Sequence, residues 1–139
     1  DLAFAIGGWL VRPFDPQHDA AETKGFYTGY PGEGYLLFIP DTAYVENRFE
    51  GATILVVETN HASDILSDNI QRKNLNQMIG KRIRRNHMSL QNVKDFIIEN
   101  NMQRTLREIH LIHLSDLNSD EVRFKREIQE LTGVPVYVC

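Results

Sequence analysis

A short apolar segment, Ile109–Leu114, constrains the fold more than any other part of the chain. Runs of Val, Ile and Leu of this length are typical of a strand in a sheet that is covered on both faces. A polar turn with Ser115 and Asp116 follows at once, so His113 lies where the strand becomes a loop. That is a usual position for a functional group on an α/β scaffold, and the alternative is a core histidine bonded to a nearby carbonyl.

The composition is that of one domain of ordinary size. The chain has 139 residues, of which 42% are hydrophobic, and its net charge of -4 argues against a surface that is basic all round. The single cysteine, Cys139, excludes a disulfide within the chain and fits a reducing environment. We see neither a signal peptide nor an apolar run near the roughly 18 residues that span a bilayer, so we expect a cytoplasmic protein without membrane contact.

The order of predicted elements is antiparallel strands first, then alternating helices and strands. Pro31–Gly34 has the glycines of a hairpin turn, and Ala52–Val57 has the pattern of a buried strand. Helices are predicted over 62–68 and 72–83. A third is predicted to begin after the N-cap Ser89 and to end at Asn100-Asn101, and a fourth to follow a capping box from Asn118 to Glu121 and to end at Gly133. These patterns predict an α/β fold with a mixed sheet. Because both termini look like strands, we expect residues 1–139 to be a segment of a longer fold.

Ionisable side chains stand at the ends of several predicted strands. Oxygen and nitrogen donors gathered in this way suit zinc, manganese or iron. No HExxH or CxxC signature is present, so the prediction of a metal site rests on the position that these residues share at the ends of strands. Each residue also has a structural alternative, such as a turn aspartate, a solvated loop histidine or, for His61, a cap of the next helix. The candidate residues are His18, Asp41, Glu58, His87 and His113.

Five short segments, in order, resemble the C-terminal half of the metallo-β-lactamase fold, in the branch of ribonuclease Z and related nucleic-acid phosphodiesterases. His18-Asp19 precedes a glycine-aromatic strand, and Pro40-Asp41-Thr42 is similar to the family's Gly-Asp-Thr motif. The other three are Val57-Glu58-Thr59-Asn60-His61, Asn86-His87-Met88-Ser89 and His113-Leu114-Ser115, which are similar to Glu-Ala-Asn-His, Gly-His-Leu-Ser and His-Leu-Ser motifs.

The resemblance implies roles for these residues. Asp41 and His113 would be metal ligands, with His18 as a further or outer ligand, and zinc or manganese as the metal. Glu58 and His87 would form an acid/base pair that protonates the leaving oxygen. The implied function is a metal-dependent hydrolase of phosphodiester bonds, and the implied architecture is part of an αββα sandwich with helices on one face of the sheet.

The chain also departs from that family. It lacks the HxHxDH loop of the N-terminal half, and Pro40 replaces the usual glycine before Asp41. The alternative is therefore a non-catalytic, degenerate module that binds a protein or nucleic-acid partner. A half-sandwich would expose an apolar sheet face, so we expect a homo-oligomer or a protein partner to cover it.

A basic run precedes His87. Such a run in an acidic protein could contact the phosphates of a nucleic acid or nucleotide, or a partner, and its alternative is a solvated helix face. The residues are Arg72, Lys73, Lys81, Arg82, Arg84 and Arg85.

Overall fold

The computed structural model describes residues 2–17 and 23–139, which form a mixed seven-stranded sheet with helices. The strands are β1 (Phe4–Ile6), β2 (Trp9–Phe14), β3 (Gly25–Tyr30), β4 (Gly34–Ile39), β5 (Ala52–Glu58), β6 (Glu108–Ile112) and β7 (Val136–Val138). The helices are α1 (Ser63–Gln71), α2 (Gln77–Asn86), α3 (Leu90–Glu99) and α4 (Glu121–Thr132), with a 3-10 turn at Met102–Arg104. The strands lie side by side in the order in which they occur along the chain.

The two halves of the sheet have different pairing. Strands β1 to β4 pair antiparallel, whereas β4 to β7 pair parallel. Short turns suffice for antiparallel neighbours, whereas parallel neighbours need longer crossovers. Helices lie in the crossovers from β5 to β6 and from β6 to β7, and residues 40–51 connect β4 to β5 without a helix. The hairpin turn is formed as predicted, with the Glu33 amide donating to the Tyr30 carbonyl at 3.0 Å and Gly32 at a φ of 89°. The predicted α/β fold with a mixed sheet is therefore confirmed.

The hydrophobic core lies on one face of the sheet. Leu55 and Val57 of β5 and Ile109 and Leu111 of β6 are fully buried there. Alternate positions on these strands point to the same face, so a single stripe of each strand enters the core. The helices complete this core with Val93, Phe96, Ile97, Phe124 and Ile128.

The opposite face of the sheet is open. The strand register aligns Phe26, Phe38, Val56, His110 and Tyr137 in one row across five strands. Phe26 and Tyr137 in this row are 38% and 47% exposed. The expectation from the Ile109–Leu114 run that both faces are covered is therefore wrong for the described residues, because only every second side chain of β6 enters the core.

Several helix boundaries differ from those predicted: α1 continues to Gln71 and α2 to Asn86. The helix predicted over 72–83 begins at Gln77, where the Asn76 side chain accepts from the Met78 amide, and Lys73 has a left-handed φ of 61°. At α4 the N-cap is Asp120, whose side chain accepts from the Arg123 amide at 2.9 Å. The predicted capping residue, Asn118, is instead buried.

The Ser89 cap of α3 is confirmed, since its hydroxyl accepts from the Asn92 amide at 3.1 Å. Within the part of the chain that the structure describes, we find no helix with the length and apolar character needed to cross a membrane.

Candidate metal centre

Four side chains converge at the edge where the parallel strands end. Asp41 follows β4, Glu58 ends β5 and His113 follows β6, while His87 follows the last residue of α2. One ligand atom from each lies within 4.8 Å of the others. The carboxyl ends of parallel strands meet at one sheet edge, which explains how residues so far apart in sequence come together. The fifth candidate residue, His18, which was predicted as a further metal ligand, lies outside the described residues.

Glu58 is the fully buried member of this cluster. Its Oε2 accepts from the backbone amides of Thr42 at 2.9 Å and Met88 at 3.1 Å. Its Oε1 lies 2.5 Å from Nδ1 of His87 and 3.0 Å from Nδ1 of His113. A buried carboxylate is costly unless donors surround it, and both oxygens have them here. Glu58 therefore fixes two backbone segments and two imidazoles at once.

The segment that carries His87 is attached to the end of β5. The Asn60 amide donates to the Met88 carbonyl at 2.9 Å, and the Leu90 amide donates to the His61 carbonyl at 2.8 Å. The short hydrogen bond to Glu58 raises the pKa of His87, against the opposing effect of burial. His87 is thus an oriented imidazole that keeps its proton to higher pH than an ordinary histidine.

His113 has an unusual backbone conformation. Its φ of 57° is in the left-handed region, which only a few per cent of non-glycine residues adopt. Hydrogen bonds to Asn60 stabilise this turn: the Asn60 side-chain amide donates to the His113 carbonyl at 3.2 Å, and the Ser115 amide donates to the Asn60 carbonyl at 2.9 Å. Asn60 belongs to the motif that contains Glu58, but sequence reasoning assigned it no role.

The cluster is open to solvent on the side of Asp41 and His113. Nδ1 of His113 lies 2.5 Å from Oδ1 of Asp41, and the two side chains are 49% and 43% exposed. One imidazole nitrogen therefore contacts two carboxylates, an arrangement that positive charge stabilises. Two carboxylates and two imidazoles at these separations fit a divalent metal of the zinc, manganese or iron type.

His61 lies close to this cluster but has a different environment. It is buried, and its Nδ1 has no hydrogen-bond partner among the described residues. Burial lowers the pKa of His61 to about 4, so the ring is neutral at physiological pH. The alternative role as a helix cap is wrong, because α1 begins after Ala62 without a side-chain cap.

The six basic residues of the predicted run fall into two groups. Arg72 pairs with Asp68 at 2.9 Å, and Arg84 donates to the Ser67 hydroxyl at 2.9 Å, so both are engaged with α1. The others are exposed on α2 or just before it, namely Lys73, Lys81, Arg82 and Arg85.

The comparison with known proteins identifies the fold. No protein-family model and no curated protein matches the chain. The metallo-β-lactamase fold protein YhfI from Bacillus subtilis is similar in structure, with a TM-score of 0.69 and 15% identity over 100% of this chain and 50% of YhfI. CmlA, a diiron β-hydroxylase from Streptomyces venezuelae, is similar with a TM-score of 0.55 and 13% identity over 99% of this chain and 32% of CmlA.

These similarities confirm the metallo-β-lactamase fold that the five sequence segments predicted. The chain spans half the length of YhfI and about a third of that of CmlA. The ribonuclease Z branch, which the motifs favour, stays a prediction.

Proposed function

We propose that this chain is the C-terminal portion of a metal-dependent hydrolase that cleaves phosphodiester bonds. The observation that carries the proposal is the convergence of Asp41, Glu58, His87 and His113 at one sheet edge. The fold supports the metal-dependent part of the proposal, because CmlA, which is similar in structure, is described as a diiron β-hydroxylase. An imidazole with a raised pKa within the cluster supports hydrolysis, since a departing oxygen needs a proton.

Asp41 and His113 are the residues that would hold the metal, because they are the solvent-accessible members of the cluster. His18 remains a proposed further ligand. A bound zinc or manganese ion would supply positive charge to phosphate oxygens and make water more acidic. The exposed side of the cluster leaves room for the phosphodiester.

His87 is proposed to donate the proton to the leaving oxygen. Glu58 is suited to orient it, because the Thr42 and Met88 amides fix the carboxylate from the other side. The raised pKa of His87 lets this acid keep its proton to higher pH than an ordinary histidine, and a general acid contributes about 10²–10⁴-fold to a rate. Glu58 acts through His87 and is a positioning residue in this scheme.

The test is hydrolysis of bis(para-nitrophenyl) phosphate by the full-length protein with added zinc or manganese. His87→Ala is expected to lower kcat by about 10²-fold or more and to remove the high-pH limb of the pH profile. Asp41→Ala is expected to abolish activity by loss of metal. His110→Ala, a matched histidine outside the cluster, is the control. Hydrolysis that survives unchanged in both His87→Ala and Asp41→Ala contradicts the proposal.

The open sheet face favours a second candidate function, a non-catalytic module that binds a partner. Exposed apolar side chains continue along this face onto the outer strands, with Ile6 and Trp9 paired across β1 and β2. Contiguous apolar surface of this kind marks protein interfaces. We infer that a second copy of the chain or another protein covers it.

Sedimentation equilibrium over a range of concentrations tests this candidate. The chain is expected to self-associate or to bind a co-purifying protein, and Ile6→Thr with Trp9→Thr is expected to weaken that association. Val122→Thr, at an exposed apolar residue on α4, is the control and is expected to have no effect. A monomer at all concentrations that retains no partner argues against the module.

A further inference from the structure

Positive charge is concentrated in one segment of this acidic chain. Residues 69–94 contain seven Lys or Arg and no Asp or Glu, whereas the rest of the chain has eight Lys or Arg and 19 Asp or Glu. This segment comprises all of α2 and ends shortly after His87. A local excess of this size attracts polyanions even when the whole protein is negative.

We propose that the exposed face of α2 binds the phosphate backbone of a nucleic acid, so that the substrate is a polymer rather than a small phosphodiester. The inference rests on the proposed function for the cleavage step, whereas the binding step stands on α2 alone.

Three of the four basic residues of α2 share one face with an apolar residue, while Arg84 contacts Ser67 of α1. Met78, Lys81, Arg82 and Arg85 are spaced i, i+3, i+4 and i+7, which places them along one stripe of the helix. All four are exposed, and together with Ile79 they line an open groove. The opposite side of α2 packs against α1 through Gly80, where an added Cβ would lie 2.4 Å from the Ile70 side chain. The stripe therefore points away from the body of the protein.

The cations at the centre of the stripe are not neutralised within the described chain. Lys81 and Arg82 have no carboxylate within salt-bridge distance there, unlike basic residues elsewhere on the surface. Arg48 pairs with Glu99, and Arg123 pairs with Glu127. A ligand that compensates Lys81 and Arg82 must therefore supply its own negative charge.

The stripe leads to the candidate centre. His87 is the residue after α2, and the charge of Arg82 is close enough to lower the pKa of His87 against the larger effect of Glu58. A helix of ten residues is about 15 Å long, and the phosphates of one strand of a duplex are spaced about 3.4 Å apart when measured along the duplex axis. A strand held along α2 can therefore contact several basic residues while its next phosphate reaches the cluster.

The test is fluorescence anisotropy of a fluorescein-labelled oligonucleotide, single-stranded or duplex, in a chelator-containing buffer that permits binding without cleavage. The Lys81→Glu/Arg82→Glu variant is expected to bind at least about tenfold more weakly. The slope of log K against log salt concentration is expected to become shallower by about 0.7–0.9 for each phosphate contact that is lost. Lys125→Glu/Arg126→Glu on α4, which changes the net charge equally at exposed positions, is expected to change affinity by less than about threefold. Circular dichroism checks that both variants fold.

No oligonucleotide binding, or an equal loss in both variant pairs, overturns the inference, and a protein ligand then becomes the explanation for the face. This failure is distinguishable from that of the proposed function. If the protein hydrolyses bis(para-nitrophenyl) phosphate but its oligonucleotide binding does not depend on α2, the proposed function is supported and the inference is wrong. If binding depends on α2 but the full-length protein hydrolyses no phosphodiester, the inference is supported and the proposed function is wrong.

Discussion

Glu58 connects the separate parts of the candidate centre. Its position after a Val-rich strand made it a candidate from sequence, since a carboxylate there is costly unless it is paired. The partners could not be predicted, because the Thr42 and Met88 amides reach it only once β4, β5 and the segment after α2 are assembled. The left-handed conformation of His113 could not be predicted from the sequence either, because it depends on hydrogen bonds to Asn60.

His61 allows a prediction at the residue scale. Its pKa in the folded protein, about 4, is below the ordinary value of 6.5, so folding favours the neutral ring. The contribution of His61 to the free energy of unfolding is full above pH 6.5 and is lost as the pH falls toward 4, because the unfolded chain takes up the proton first. The difference between the two pKa values corresponds to about 3 kcal/mol of unfolding free energy.

The measurement is urea unfolding of the protein and of His61→Gln at a series of pH values through this window. Above pH 6.5 the variant is expected to have a lower free energy of unfolding than the parent, because glutamine replaces a buried ring. Between pH 6.5 and 4 it is expected to lose about 3 kcal/mol less of that free energy than the parent does. Parallel stability curves for the two proteins would show that His61 is not the group responsible.

The elements of the chain were largely predictable, because hydrophobic periodicity and turn residues determine them locally. The hairpin, the Ser89 cap and the alternation of helix and strand all followed from such patterns. The start of α2 and the cap of α4 did not. Asn118 has capping spacing but is drawn into the interior, where it accepts a hydrogen bond from the Asn69 side chain at 3.0 Å, and Asp120 takes its place.

The cap of α4 gives a prediction at the element scale. Asp120→Ala is expected to lower the free energy of unfolding by about 1 kcal/mol, because it removes the acceptor for the Arg123 amide and a negative charge at the helix N-terminus. Asp120→Ser keeps an acceptor and is expected to retain most of that stability. Denaturant unfolding measures both changes. Equal losses in the two variants would assign the effect to something other than capping.

At the scale of the whole molecule, the fold could be predicted from five short segments in a fixed order, although each is weak alone. Four of these segments lie in the described part of the chain, and each supplies a side chain at the end of a different element, where the fold brings Asp41, Glu58, His87 and His113 together. The sequence predicted that one sheet face would be exposed. It could not identify what covers that face, because the pattern of a strand says nothing about a molecule outside the chain. The exposed apolar side chains of this face and the basic stripe of α2 are the two surfaces for which we propose partners.

The central claim is that the edge of the sheet binds a divalent metal through Asp41 and His113. The most direct test is elemental analysis of the purified chain after incubation with zinc or manganese and dialysis. We expect near-stoichiometric metal in the protein and in His110→Ala, and loss of that metal in both Asp41→Ala and His113→Ala. A chain that retains no metal, or variants that retain as much as the parent, would contradict the account.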